Sequence, residues 1–433
     1  MKTQNVFLFT IFLSFLLLCG CSEEALNKQE SFLNDGNQDL LEESTDVVKF
    51  KVPSAGTWEL IFSDEFEGTE MDLSKWRNVY SDKGWSDGIH TFFNPENISL
   101  NGTSLVNKYT RDATNTYSAG RIDSKGLFEI AYGYLECRMH VVYPNGYQTA
   151  FWMMPPNGTK PDGVMDGTAN DGAEIDIVEA RKQSESYATN LHWDGYDSGH
   201  PSSHLDVSAT GIHSNWMNVY GLEWTPVYMK FYYNGTVKRT ITNPVQISHV
   251  KEYIILSGSA FGGNWVDGDI STATLPDWAY YDYVRVYKNK EMDYGTGYFK
   301  LINKLSGKSL AVENWLTSDG AKIVQLPDNG YTNQIFQIIH LNDGKYKLIA
   351  KHSGKCVGVN AQGYLSQQTY SGTDGQKWEI EPIPNTNRVR LKCLSDSKYA
   401  EVESGSVDDN ARILNGNNPT WSRTHWEIIW VQN

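Results

Sequence analysis

The sequence predicts an all-β chain of two domains, and three observations carry that reading. From Trp58 onward, short runs of alternating apolar and polar residues are punctuated by Gly, Asn, Asp and Pro, the pattern of half-buried strands and turns. Phe128–Val142 and Met229–Thr242 are the clearest runs, and Tyr233-Asn234-Gly235 supplies a hairpin turn in the second. No long amphipathic helical period occurs. The last third of the chain repeats itself three times. At 433 residues the chain exceeds one ordinary domain. Its 14 Trp and 25 Tyr suit a large β core and the stacking of aromatic faces on pyranose rings. A net charge of −15 excludes nucleic acid as a partner, since phosphates would be repelled.

Residues 1–21 read as a targeting segment outside the fold. Lys2 is a weak basic start, and Val6–Leu18 is an apolar run too short to span a bilayer stably. Leu18-Cys19-Gly20-Cys21 resembles a bacterial lipobox, which implies cleavage before Cys21 and lipid on that cysteine. A plain signal peptide or an uncut anchor is the alternative. The acidic Ser22-Glu23-Glu24 resembles an export signal of surface lipoproteins, so the expected location is the outer membrane, facing outward. Residues 22–54 are polar and aperiodic, a flexible tether. Cys137, Cys356 and Cys393 have no framework spacing and read as small buried hydrophobes, with a Cys356–Cys393 bridge left open.

The chemistry concentrates in GAEIDIVEA, Gly172–Ala180. Ile175, Ile177 and Val178 are β-branched and mark a buried strand. Side chains alternate on a strand, so Glu174 and Asp176 share a face and Glu179 falls on the other. A one-residue β-bulge would return Glu179 to that face, and bulges are common beside active sites. A solvated strand edge with scattered acids is the plain alternative. Three carboxylates on one face repel each other and resist burial. Glycoside hydrolysis needs such a set: one carboxylate attacks the anomeric carbon, and a protonated partner serves the leaving oxygen. A third acid between them can hold a shared proton and separate the two pKa values.

E-I-D-I-V-E is similar to the bulged catalytic signature of glycoside hydrolase family 16. Other blocks extend the resemblance through 55–289: Ser63-Asp64-Glu65-Phe66, Tyr117–Ile122, Tyr132–Arg138, Ala150–Met154, Tyr220–Pro226 and Asp282–Tyr287. The resemblance implies a jelly-roll sandwich with a concave cleft, Glu174 as nucleophile, Glu179 as acid/base and Asp176 as their helper. It also implies a retaining endo-β-glycosidase. Met154–Asp171, rich in Pro, Gly, Asn and Asp, reads as a loop shaping one end of the cleft. His192 and Trp193 are the expected substrate contacts in the polar, aromatic stretch Leu191–Tyr196. Gly262-Gly263-Asn264-Trp265 resembles a family loop, making Trp265, with Trp152, a stacking platform or plain core. The spacing of His192, His200 and His204 fits no metal motif, so no metal or cofactor is expected, with a structural calcium left open. The substrate leans to poly-N-acetyllactosamine or keratan-type chains. An endo-β-1,3(4)-glucanase and a non-catalytic glycan-binding lipoprotein are the alternatives. A monomer is expected.

After a polar link at Glu291–Gly297, Lys300–Lys308 is echoed by Lys347–Lys355 and, more weakly, by Arg390–Lys398. The copies close on Phe336, Trp378 and Trp426. Three such units must stack to bury one core. The Gln-x-Trp closure resembles ricin-type β-trefoil lectins, so 297–433 is expected to be a carbohydrate-binding trefoil. The Asp that sugar-binding copies carry is replaced by Ala311, Gly358 and Glu401. Asn333, Gln334, Tyr370 and Gln376 remain as candidate sugar contacts.

Overall fold

The computed structural model describes residues 53, 57–86, 89–260 and 265–431. The leader, Cys21 and most of the 22–54 segment lie outside them, as do Gly262, Gly263 and Asn264. The described residues form two β bodies, as the alternation and the repeats required.

The first is a sandwich of two antiparallel-rich sheets. One sheet is built from β1 (Arg77–Asn78), β2 (Arg121–Asp123), β3 (Tyr147–Met154), β4 (Ala173–Ala180), β5 (Ser186–Trp193), β6 (Ser202–Ser208) and β7 (Glu252–Ala260), in the spatial order β6-β5-β4-β3-β7-β2-β1. The opposing sheet centres on Gly133–His140, flanked by Asn218–Trp224 and Asp277–Asn289. Phe151, Met153, Ile175, Val178, Leu191 and Leu256 of the first sheet share a buried core with Leu135, Cys137, Met139, Leu222, Val284 and Val286 of the second. Apart from the step between Ile175 and Val178, these residues recur at alternate positions, so the other face of the first sheet is left for polar side chains.

The second body spans Tyr298–Val431 as a twelve-stranded sheet system in three repeats. Phe336, Trp378 and Trp426, the closing residue of each copy, are fully buried. The two indoles donate to the carbonyls of Val357 (3.1 Å) and Ala400 (2.9 Å). Buried amides lock one repeat to the next. Gln325 of the first donates to Ser406 and Asp408 of the third, and Gln367 of the second donates to Leu316 and Ser318 of the first. No repeat closes its own core, which is why three are needed. Cys137, Cys356 and Cys393 are buried and free.

The link between the bodies is docked. Met292 and Tyr294 are buried, and the Tyr346 hydroxyl donates to the carbonyls of Lys290 (2.8 Å) and Met292 (3.1 Å). Trp430 stacks on His249 at 4.1 Å and 8°, Lys251 pairs with Glu427 at 3.0 Å, and Asn387 accepts from Ala131 N–H.

Candidate active site

The site grows from one irregularity in β4. Trp152 of β3 pairs with Asp176, but the next residue, Phe151, pairs with Val178, so the register skips Ile177. Against β5, Asp176 faces Asn190 and Glu179 faces Ala188, again with one residue too many on β4. Ile177 is the extra residue of a β-bulge, and its side chain is buried in the core. The bulge restores Glu179 to the face of Glu174 and Asp176, as the odd spacing required.

Neighbouring strands then supply partners by alternation. On β3, Gln148, Ala150 and Trp152 share the face. Gln148 Nε2 donates to Glu179 Oε1 at 2.9 Å, and Trp152 Nε1 donates to Ser257 at 3.0 Å. On β5, Asn190 and His192 lie opposite Asp176 and Glu174. Asn190 Nδ2 donates to Glu179 Oε2. From the turn after β5, the Tyr196 hydroxyl donates to Glu174 Oε2. His192 Nδ1 meets His200 Nε2 at 3.1 Å. His204 turns instead to Asn190 (2.5 Å) and Arg181 (3.3 Å), so the three histidines do not converge. Ligand-capable atoms of Glu174, Asp176 and His192 do lie within 4.8 Å of one another.

The electrostatics separate the three acids. Burial pushes all of them up. Asp176 is held well above the carboxylate range by burial, with the like charges of Glu174 and Glu179 adding to the rise. Glu179 is pushed up to about 7 by burial, against the lowering bond from Gln148 and with Glu174 adding to the rise. Burial also raises Glu174, but the Tyr196 hydroxyl, Lys83 and Arg121 oppose it.

Several sequence expectations need correction. Trp193 is buried at 4% exposure within the sandwich core and is not a cleft contact. Adjacent strand residues face opposite sides, so His192 in the cleft places Trp193 in the core. In the trefoil, Gln334 and Gln376 are buried and hold backbone: Gln334 donates to the Pro327 carbonyl and Gln376 to that of Thr369. Asn333 is buried, with Nδ2 given to the Val312 carbonyl at 2.8 Å. Tyr370 is half-buried beneath Lys347, 4.4 Å from its ring. Trp152, on the face that carries the three acids, and Trp265 each lie under a guanidinium: Arg121 at 5.2 Å and Arg181 at 4.2 Å. Gln148, Asn190 and Arg181 were not singled out from sequence; for Gln148 and Asn190, two-residue spacing from Ala150 and His192 was the available signal.

With this geometry in place, comparison with known proteins identifies the family. Residues 58–289 match the family described as Beta-porphyranase A-D, GH16 domain. The chain belongs to glycoside hydrolase family 16. Residues 286–370 match the ricin-type β-trefoil lectin domain-like family. Among family 16 relatives, the keratan-sulfate endo-1,4-beta-galactosidase of Sphingobacterium multivorum is 30% identical over 57% of this chain and 58% of its own length. The clotting factor G alpha subunit of Tachypleus tridentatus is 27% identical over 67% of this chain and 44% of its own. The chain thus spans about half the length of these curated relatives. Among solved structures, the GlcNAcα1-4Gal releasing endo-β-galactosidase from Clostridium perfringens aligns over 88% of this chain and 98% of its own, with 21% identity and a TM-score of 0.40.

Proposed function

We propose that this chain is a retaining endo-β-glycosidase in which Glu174 attacks the anomeric carbon and Glu179 serves as acid, then base. The observation that carries the assignment is the unequal environment of the two glutamates. Lys83, Arg121 and the Tyr196 hydroxyl favour an ionised Glu174, the state a nucleophile requires. Glu179, pushed up to about 7, keeps its proton near neutrality and can give it to the leaving oxygen. In the first step Glu174 Oε bonds to the anomeric carbon, the C–O bond to the leaving sugar breaks, and the Glu179 proton goes to that oxygen. In the second, Glu179 takes a proton from water as its oxygen attacks the same carbon and releases Glu174. Asp176, raised by burial and by both neighbours, keeps its proton and so keeps a third negative charge out of the pair.

The substrate we propose is a β-linked galactan carrying anionic groups, of the keratan type. Two observations support it over a neutral glucan. Lys83 and Arg121 place positive charge beside Glu174 in a chain whose net charge is −15, which favours a sulfated or otherwise anionic chain. The keratan-sulfate endo-1,4-beta-galactosidase is also among the relatives. The β-1,3-glucanase reading has a relative of its own, the glucan endo-1,3-beta-glucosidase A1 of Niallia circulans, 27% identical over 55% of this chain. Reducing-end release from keratan sulfate, porphyran, agarose, laminarin and lichenan decides between them. Release from laminarin or lichenan alone would sink the galactan reading. We further propose that lipid on Cys21 holds the enzyme at the outer membrane and the trefoil holds glycan. The lipobox-like Leu18–Cys21 stretch and the lectin-family match support this. Radiolabelled palmitate incorporation lost in Cys21→Ser tests the anchor.

A further inference from the structure

We infer that His204 is a positioning residue that fixes the side-chain amide of Asn190 so that its N–H end, and not its carbonyl, faces Glu179. The inference rests on the reading of Glu179 as acid/base and deepens it.

The geometry runs inward from Arg181. Its Nη2 lies 3.3 Å from His204 Nε2. A guanidinium has only donors and no acceptor. Asp206 Oδ2, 3.6 Å from the same nitrogen, is too far to accept from it, so His204 Nε2 is the accepting nitrogen and the ring hydrogen sits on Nδ1. Nδ1 lies 2.5 Å from Asn190 Oδ1. A donor there admits only the carbonyl end of the amide. The NH₂ end is then directed at Glu179 Oε2, to which it donates. Arg181 has little freedom of its own. It donates to Asp206 Oδ1 at 2.9 Å and to the Trp265 carbonyl at 3.1 Å, and lies 4.2 Å over the Trp265 ring. Each group thus fixes the next: Arg181 sets the tautomer, the tautomer sets the amide, and the amide sets the donor.

The orientation matters because the two ends of an asparagine amide have nearly the same shape and opposite polarity. Turned by half a rotation, Asn190 would set a carbonyl oxygen against Glu179 and disfavour its ionised form. Asn190 is 1% exposed, so water cannot make good the loss. Glu179 is faced by Glu174 and Asp176 on its own strand, Gln148 on β3, Asn190 on β5 and Arg181 beyond the end of β4. Burial and Glu174 raise its pKa, while Gln148, Arg181 and Asn190 lower it. The amide counterweight keeps Glu179 where one group can release a proton in the first step and recover one in the second.

His204 is exposed on the edge strand β6, so its replacement leaves the core intact. Two variants of the full chain separate the readings. His204→Asn keeps an N–H close to the place of Nδ1; His204→Leu removes it. The readout is the ¹³C titration of glutamate carboxyls, with the Glu179 resonance identified as the one missing in Glu179→Gln. We expect His204→Asn to titrate with wild type, within about 0.3 pH units, and His204→Leu to shift Glu179 upward by about one unit. The alkaline limb of kcat/KM on the polysaccharide found in the screen should move with it. A wild-type titration in His204→Leu, or an equal shift in both variants, overturns the relay. If the alkaline limb survives unchanged in Glu179→Gln, the acid/base reading fails instead, and the two failures are distinguishable.

Discussion

Glu252 is fully buried at the start of β7, where its Oε1 accepts from the N–H of Ala173, the residue before Glu174. Burial pushes its carboxyl up to about 8. Its folded pKa therefore lies above the unfolded value of about 4.3. The folded state binds the extra proton between those values, so stability is full below about pH 4.3 and is lost as pH rises through 8. Glu252→Gln should remove that loss. Urea melts at pH 5, 7 and 9 should show the variant gaining on wild type by roughly 1 kcal/mol per pH unit up to about pH 8, then holding; a constant offset would mean Glu252 is ionised in the fold. The proposed catalytic acids give a second prediction at this scale. Glu174→Gln should reduce kcat by about a thousandfold or more without lowering the melting temperature, because it removes the attacking atom and no core packing. Glu179→Gln should lose the fall in kcat/KM expected of wild type above about pH 7, the value to which Glu179 is pushed up, and should retain most of its kcat/KM, though not its kcat, on substrates with good leaving groups, since the second step still needs the base. Full activity in Glu174→Gln would reassign the nucleophile.

At the scale of the element, β4 works because it carries one residue more than its neighbours. Deleting Ile177, which the register skips, leaves Glu174, Asp176 and Glu179 on one face by alternation alone. Activity should survive in part. The loss of a buried side chain and about 1 Å of carboxylate displacement can together account for a hundredfold drop. Adding a residue between Asp176 and Glu179 should abolish hydrolysis, since Glu179 would need a second unpaired residue to regain the face. Both variants are first checked for fold by circular dichroism. A dead deletion beside an active insertion would contradict the bulge.

In the whole molecule, the trefoil is docked on the sandwich through specific contacts. Trp430 stacks on His249, whose imidazole burial pushes down to about 4 and so keeps neutral at pH 7. Tyr132 OH meets His249 Nδ1 at 2.8 Å, and Lys251 pairs with Glu427. These contacts grip the chain just before Glu252. A chain ending at Asn289 should still cleave soluble oligosaccharide at near the full rate, because no trefoil side chain bonds to Glu174, Asp176 or Glu179 among the described residues. Its loss should fall on insoluble substrate, where the trefoil raises effective concentration. Its melting temperature should also drop, by about 2–4 °C for each kcal/mol of interface lost, as read by differential scanning calorimetry. Trp430→Ala in the full chain should reproduce part of that drop, roughly 1 kcal/mol for the stacked pair. An inactive but folded truncation would place part of the site in the trefoil.

The sequence by itself determined the all-β class, the two bodies, the threefold repeat and the bulge, because each follows from a period: two along a strand, a fixed interval between repeats, and an odd spacing between acids. It also singled out Glu174, Asp176 and Glu179 as the proposed catalytic set, since three carboxylates beside buried β-branched residues have few other reasons to be there. Trp193 was misread although the same period was available: adjacent positions cannot both face the cleft, and His192 had the place opposite Glu174. Gln334 and Gln376 were misread for another reason. An amide that holds a buried turn and one that holds a sugar look alike until their partners are known, and here the partners are backbone carbonyls. Only the tertiary structure decided which strands lie beside β4. Gln148 comes from 31 residues away and Asn190 from 11, measured from Glu179. Strand order thus brought Gln148 and Asn190 to one carboxyl group, and His204 to Asn190. Hydrogen bonds and burial act through space over a few ångströms, so the proton affinity of Glu179 belongs to the packed sheet and not to the strand that carries it.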